Sequence, residues 1–195
     1  MPGKKTKKMK QLSLVGFLAL VITCVACDQS PPKDAKRQVT TETPKNWKLI
    51  DKPVYTVQYP DSFELDTSRQ MGMSFMLLSK QLSDHDLFRE NVNLIMENLP
   101  GKQIDLEKYI EISLGQIEMM ITDINLIESK KITDKNGEYQ KIIYTGKQGQ
   151  YSLKWQQRYW VENNKAYILT LTCEVDQYDH YLTAGEDIMK TFRIK

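Results

Sequence analysis

The stretch Asn136–Val175, NGEYQKIIYTGKQGQYSLKWQQRYWVENNKAYILTLTCEV, decides the fold of this chain. Asn136-Gly137 is its strongest hairpin signal, because both residues accept a positive φ. Gly146–Gly149 and Asn163-Asn164 mark the next two turns in the same stretch. Apolar and polar residues alternate between these turns, which is typical of β-strands. The sequence therefore predicts an antiparallel meander of long strands from Leu126 to Val175.

The strand over residues 151–161 alternates almost without a break. Side chains that alternate along a strand lie on opposite faces of the sheet. We expect one face to be core and the other to be wetter, as in an antiparallel sheet covered mainly on one side. The two sets are Tyr151, Leu153, Trp155, Gln157, Tyr159 and Val161, and Ser152, Lys154, Gln156, Arg158 and Trp160.

Trp160 is out of place among the polar residues of its face, because a large aromatic ring is rarely left on a solvated surface. Two explanations are open. In the first, a second layer covers this end of the sheet and buries the ring. In the second, Trp160 is exposed and is a contact for a partner, since exposed Trp is a common interface anchor.

Upstream of the meander, residues 54–59, 73–79 and 91–98 have the composition and patterning of strands. Asp105 can cap a helix whose apolar residues recur at helical spacing as far as Ile121. Asp176 can cap a second helix that ends near Phe192. These elements predict an α+β fold, in which an antiparallel β-sheet of about six to eight strands is flanked by two main helices.

The N-terminal segment has the parts of a secretory signal. Five lysines lie between Lys4 and Lys10, and a short apolar run follows. A run of this length is typical of a signal peptide rather than a membrane span. Cys24-Val25-Ala26-Cys27 resembles the lipobox of bacterial lipoproteins, which implies cleavage before Cys27 and lipid attachment to its thiol. Two alternatives are an ordinary secretory signal cut near Ala26 and attachment at Cys24.

Cleavage there would divide the chain into a signal peptide (1–26), an acylated cysteine with its tether (27–46) and one domain (47–195). Residues 28–45 contain three prolines, mixed charge and few apolar side chains, which predicts a disordered tether. Loss of the signal lysines leaves 22 basic against 25 acidic residues, so the net charge of the remainder is −3. We therefore expect no nucleic-acid partner.

Three segments resemble the PsbP-like superfamily: Val54–Pro60 (VYTVQYP), Glu90–Ile95 (ENVNLI) and Ile188–Ile194 (IMKTFRI). The likeness spans residues 47–195. It implies an antiparallel sheet flanked by helices, usually on both sides, in proteins that are mostly assembly factors or binding modules. A lipid anchor followed by one such domain is most similar to the bacterial DcrB-type lipoproteins.

Few side chains in the sequence could carry chemistry. His85 stands between Asp84 and Asp86, but neighbouring loop residues rarely face one metal ion. Cys173 falls on the apolar face of its strand, where thiols are buried and inert. His180 lies in the first turns of the last helix and is expected to face solvent. We predict no catalytic residue, no metal and no cofactor.

The sequence favours a non-catalytic binding or assembly module of the bacterial cell envelope. Cys27 would attach it to membrane lipid on the periplasmic or outer-surface side, and an envelope protein would be its partner. The alternative is a cryptic hydrolase or metal-dependent enzyme of the envelope. A deep pocket in which His85, an aspartate and Cys173 converge would favour the enzyme.

Overall fold

The predicted meander forms the long strands β6 (Thr122–Asp134), β7 (Gly137–Gln148), β8 (Tyr151–Glu162) and β9 (Lys165–Glu174). Its hairpins lie where the sequence predicts them. Gly137 has a φ of 98°, whereas Asn136 does not have a positive φ. The turn with two successive positive φ values is instead Asn163-Asn164, at 50° and 61°.

The structure is a computed structural model and describes residues 44–68, 72–81, 83–100 and 104–195. The signal peptide, Cys27 and all of the tether before residue 44 lie outside the described residues. No helix within the described ranges is long and apolar enough to cross a membrane. The elements outside the meander are β1 (Trp47–Lys52), β2 (Tyr55–Pro60), β3 (Phe63–Asp66), β4 (Met73–Ser79), β5 (Asn91–Asn98), α1 (Leu106–Met120), α2 (Tyr178–Thr191) and β10 (Arg193–Ile194).

The strands form two antiparallel sheets. A seven-stranded sheet has the order β3-β4-β5-β9-β8-β7-β6, and a three-stranded sheet has the order β1-β2-β10. The α+β prediction with two main helices is confirmed. The small second sheet does not follow from the sequence pattern, because its third strand is only two residues long.

Both faces of the seven-stranded sheet are covered. On one face, α2 and the three-stranded sheet share a hydrophobic core with β4, β5, β8 and β9. On the opposite face, α1 forms a second core with residues of β7, β8 and β9. The expectation of a sheet covered mainly on one side is therefore wrong.

On the polar face of β8, Gln156, Arg158 and Trp160 are buried, whereas Ser152 is exposed. Trp160 is only 1% exposed. Its ring centroid lies 5.1 Å from that of Phe192 and 5.1 Å from that of Tyr139. Of the two explanations for Trp160, the structure therefore agrees with the first, in which a second layer covers the ring. As a partner contact Trp160 needs an exposed ring, and the folded domain does not provide one.

The two helix starts differ in how they are capped. At α1, the Asp105 carboxylate accepts a hydrogen bond from the Lys108 backbone N–H at 2.9 Å, as predicted. At α2, Gln177 occupies the N-cap position and makes no side-chain capping hydrogen bond. The prediction that Asp176 caps α2 is wrong by one residue.

Helix α2 approaches β9 very closely at Gly185. A Cβ atom added at Gly185 would lie 2.6 Å from Leu171 Cδ2 and 2.8 Å from Leu171 Cδ1. Leu171 is completely buried and has no room to move away. Gly115 in α1 is the opposite case, because an added Cβ there meets nothing within 4 Å.

Alanine at these two helix glycines should have opposite effects on stability. Gly185→Ala should lower the free energy of unfolding by about 1–3 kcal/mol through overpacking against Leu171. Gly115→Ala should raise it by about 0.5–1 kcal/mol, because alanine loses less backbone entropy in a helix. Urea denaturation of the two variants measures both effects. A stabilised Gly185→Ala protein would contradict the close approach of α2 to β9.

Candidate ligand-binding cleft

The side chains singled out for reactivity do not meet at one site. His85 is exposed in the loop between β4 and β5, and His180 is exposed on α2. Cys173 is completely buried in the core beneath α2, as predicted. Burial raises the pKa of its thiol to about 12, which keeps it protonated and unreactive at neutral pH. The convergence that would favour the enzyme is not observed among the described residues.

Within the described ranges, no group of three or more His, Cys, Asp or Glu side chains could hold a metal ion, and this includes Asp84, His85 and Asp86. Cys27, the predicted lipid attachment site, lies in the part of the chain that the structure does not describe.

A cleft of about 510 Å³ lies between α1 and the seven-stranded sheet. Helix α1 packs against β6, β7 and β8. On the same face of the sheet, residues of β4, β5 and β9 line the cleft. Pockets of about 300–1,000 Å³ are typical of small-molecule sites.

The strand register places two rows of side chains across the floor of this cleft. Paired positions on adjacent antiparallel strands lie on the same face of the sheet, about 5 Å apart. The first row crosses β4, β5, β9 and β8, and the second crosses β5, β9, β8 and β7. The rows are Met76, Asn93, Thr170 and Gln157, and Asn91, Thr172, Trp155 and Tyr144.

Some polar groups of the floor bind one another. Asn93 Nδ2 donates to Asn91 Oδ1 at 3.0 Å, and Gln157 Nε2 donates to Thr170 Oγ1 at 3.2 Å. The Tyr159 hydroxyl donates to Gln157 Oε1. These hydrogen bonds fix the orientation of the amide side chains of Asn93 and Gln157.

The hydroxyl groups of Thr172 and Tyr144 also line the cleft, but they take no part in these hydrogen bonds. Thr172 is 7% exposed and Tyr144 is 3% exposed. Neither hydroxyl has a hydrogen-bond partner among the residues that the structure describes. Neither oxygen is fully enclosed by protein atoms, so both remain reachable from the cleft. Water can bind both hydroxyls there, so a ligand that displaces this water has to offer them matching hydrogen bonds.

Apolar side chains form much of the cleft walls, beside the polar Ser113 and Gln116 of α1. Ile117, Ile121 and the exposed Met120 line it on the helix side. Phe88 closes one end, where its ring centroid lies 5.1 Å from that of Tyr151. Met73 adds a second flexible thioether to the lining, and such side chains adapt to ligands of different shape.

Glu97 is the only charged residue among the described residues that line the cleft. Its carboxylate accepts a hydrogen bond from the Tyr109 hydroxyl at 2.8 Å. Burial first, and this carboxylate second, raise the pKa of Tyr109, so its phenol stays a neutral donor. The cleft therefore offers uncharged polar groups and one carboxylate that already has a partner.

This cleft is hard to find in the sequence because its residues are spread over five strands and a helix. The available signal is the alternation of Asn91 and Asn93 with the buried Val92 and Leu94. It shows that one face of β5 is polar. Only the register shows that Thr170 and Thr172 continue that polar face onto β9.

A separate set of buried polar groups lies on the opposite face of β8. Arg158 Nη2 contacts Glu186 Oε2 of α2 at 2.5 Å, with the two side chains 4% and 21% exposed. Gln156 Nε2 also donates to Glu186, and the Tyr178 hydroxyl donates to Gln156 Oε1 at 3.0 Å. The Arg158 guanidinium lies 5.4 Å from the Tyr139 ring centroid. This network joins α2 to the centre of the sheet.

Glu90 is a buried carboxylate on the same side of the sheet. It is 2% exposed and accepts a hydrogen bond from the Ser79 hydroxyl at 3.2 Å. Burial raises the pKa of Glu90 above its ordinary value, and the nearby carboxylates of Asp86 and Glu174 raise it further.

Removing one member of the Arg158–Glu186 pair should be costly, whereas removing both should not. Glu186→Leu leaves a buried guanidinium without its counter-charge and should lower the free energy of unfolding by about 3–5 kcal/mol. Arg158→Met combined with Glu186→Leu should recover most of that loss. Urea denaturation measures both proteins.

The exposed pair of Lys190 and Asp187 on the same helix supplies the control for this cycle. Asp187→Ala should change stability by less than about 1 kcal/mol. A Glu186→Leu protein that is no less stable than Asp187→Ala would show that the Arg158 charge is not buried.

Glu90 should make the stability of the domain fall as pH rises. Its pKa is higher in the folded state than the ordinary 4.5, so the folded protein holds a proton that the unfolded chain has lost. The free energy of unfolding should therefore decrease as the pH rises from 4.5 to the raised pKa, with a slope of at most about 1.4 kcal/mol per pH unit. Glu90→Gln should remove this loss and make the protein more stable than wild type at neutral pH.

Thermal unfolding across this pH range, with the exposed Glu118→Gln as control, tests the Glu90 prediction. The two variants should differ above the ordinary glutamate pKa and converge with wild type below it. Equal pH profiles for wild type and Glu90→Gln would contradict the burial of a charged Glu90.

Comparison with known proteins identifies the fold. No protein-family model matches the chain, and no curated protein matches it. Among solved structures, the chain is similar to cyanobacterial PsbP (CyanoP) from Synechocystis sp. PCC 6803, with 12% identity and a TM-score of 0.57 over 77% of this chain and 93% of that one.

Two further solved structures show the same similarity. LpqN of Mycobacterium tuberculosis, described as involved in cell envelope biogenesis, has 14% identity and a TM-score of 0.55 over 76% of this chain and 90% of its own. Protein PA94 of Pseudomonas aeruginosa has 16% identity and a TM-score of 0.52 over 75% and 95%, respectively. The resemblance seen in the sequence is thereby confirmed at the level of the fold, and the chain has the PsbP-like fold.

Proposed function

We propose that this protein is a lipid-anchored module of the bacterial cell envelope that binds a ligand or partner and does not catalyse a reaction. The observation that carries the proposal is the cleft between α1 and the sheet. It has the volume of a ligand site, but the described residues of its lining include neither a histidine nor a cysteine. A nucleophile activated by a base requires such residues or an equivalent pair.

The location in the envelope is supported by two independent observations. Five lysines, a short apolar run and a lipobox-like CVAC sequence precede the proposed attachment site at Cys27. Among proteins of the same fold, LpqN is described as involved in cell envelope biogenesis, which is compatible with this location. Within the PsbP-like fold, we infer that the DcrB-type lipoproteins are the most similar group.

Two cysteine variants test the anchor. Cys27→Ser should release the protein from membranes and abolish labelling by radioactive palmitate, because the acceptor thiol is gone. Cys24→Ser is the matched control, since it changes the same atom three residues earlier in the apolar run. It should remain membrane-bound and labelled. Fractionation of cells that express each full-length variant measures both properties.

If Cys24→Ser is released and unlabelled while Cys27→Ser stays membrane-bound and labelled, the lipid is attached to Cys24. If both variants stay in the membrane fraction and are labelled, lipid attachment at this motif is wrong. If wild type itself is soluble and unlabelled, the segment is an ordinary secretory signal.

A further inference from the structure

We propose that the cleft between α1 and the seven-stranded sheet binds an uncharged small molecule with a hydrocarbon body and a hydroxyl or amide group. This inference rests on the proposed binding function and names the chemistry of its ligand. It is carried by the residues of the floor and the walls.

The polar part of the ligand is indicated by the floor. Thr172 and Tyr144 are buried, their hydroxyls have no partner among the described residues, and the register places both in one row across the sheet. Trp155 lies between them in that row. A ligand group that donates to or accepts from these hydroxyls would keep them hydrogen-bonded after the ligand has displaced the water of the cleft.

The absence of charge on the ligand follows from the charges of the cleft. Glu97 is the only charged residue of its described lining, and Tyr109 already donates to that carboxylate. An anionic ligand would meet no cation there, and solvent would weaken the attraction of a cationic ligand to Glu97 because Glu97 is exposed. Either charge would lose its water without full compensation, which is unfavourable in an apolar site.

The hydrocarbon part is indicated by the walls. Ile95, Ile117, Ile121 and Phe88 present apolar surface, and Met76 begins one of the two rows of the floor. The cleft volume of about 510 Å³ accommodates a molecule with a chain or ring system of drug-like size. A purely apolar ligand would fit the walls but would leave the hydroxyls of the floor unpaired.

Matched ligands that differ only in their head group separate charge from hydrophobicity. The probes are decanamide and decan-1-ol, which are neutral, and decanoate and decylammonium, which are charged. Isothermal titration calorimetry would use the purified full chain carrying Cys27→Ser at pH 7, below the critical micelle concentrations. Both neutral probes should bind at least about tenfold more tightly than both charged probes, since the latter lose hydration without a partner.

Two substitutions locate the bound head group. Tyr144→Phe and Thr172→Val each delete one hydroxyl. Because two strand spacings separate these residues, we expect the variant that removes the contact of the head group to weaken decanamide binding by about 3- to 10-fold. Tyr139→Phe is the matched control because Tyr139 is an equally buried tyrosine of β7 on the opposite face of the sheet. It should bind decanamide as the parent protein does. Thr172→Ser, which keeps the hydroxyl, should also retain binding.

Several outcomes would overturn the proposal. Equal binding of neutral and charged probes would show nonspecific apolar association, and no binding of any probe would show that the cleft does not take such ligands. Unchanged binding in both hydroxyl variants would place the ligand elsewhere. The comparison of neutral and charged probes uses no variant of the cleft, so it tests the proposal even if a hydroxyl variant fails to fold. These binding results do not depend on whether Cys27→Ser is found in the membrane fraction. The proposal of a lipid anchor and the proposal of a ligand can therefore be refuted separately.

Discussion

The charge of Arg158 is the constraint that the covering layer on this face of the sheet has to meet, and Glu186 of α2 meets it. Arg158 lies in the middle of a central strand, where a guanidinium can be buried only with a counter-charge. Glu186 brings that charge on α2 and thereby sets the position of the helix on β8. Phe192, which directly follows α2, then covers Trp160.

The packing at Gly185 sets the distance of the same helix from the sheet. Without a side chain at this position, α2 comes close enough to β9 to bury Leu171 completely. The three-stranded sheet completes the layer, because β10 follows α2 and pairs with β2. One face of the large sheet is therefore filled by a helix and a small sheet. The other face has only α1, which is why a cleft remains beside it.

Local patterns predict the local structure of this chain well. The bounds of β4 and β5 agree with their sequence patterns to the residue, and Asp105 caps α1 as expected. These features depend on neighbouring residues, so periodicity and capping preferences are enough. The polar face of β8 is different, because Gln156 and Arg158 resemble solvated residues in the sequence. Their partner, Glu186, lies 28 to 30 residues further along the chain.

The cleft can be predicted from the sequence only in part. The polar face of β5 is visible as Asn91 and Asn93 between apolar residues, and the polar face of β9 is visible as Thr170 and Thr172. No local pattern indicates that these two strands are neighbours, because α1 and three strands separate them in the chain. Pairing of β5 with β9 turns two ordinary alternations into one polar floor.

The pairing of β10 with β2 also governs when this domain can fold. Arg193 pairs with Thr56, and the Thr191 hydroxyl donates to the carbonyl of Gln58, 133 residues earlier in the chain. A chain that emerges with its N-terminus first cannot close this sheet until Arg193 and Ile194 have emerged. Contacts of such long sequence separation also slow folding. The three-stranded sheet can therefore be completed only after every strand of the seven-stranded sheet has emerged.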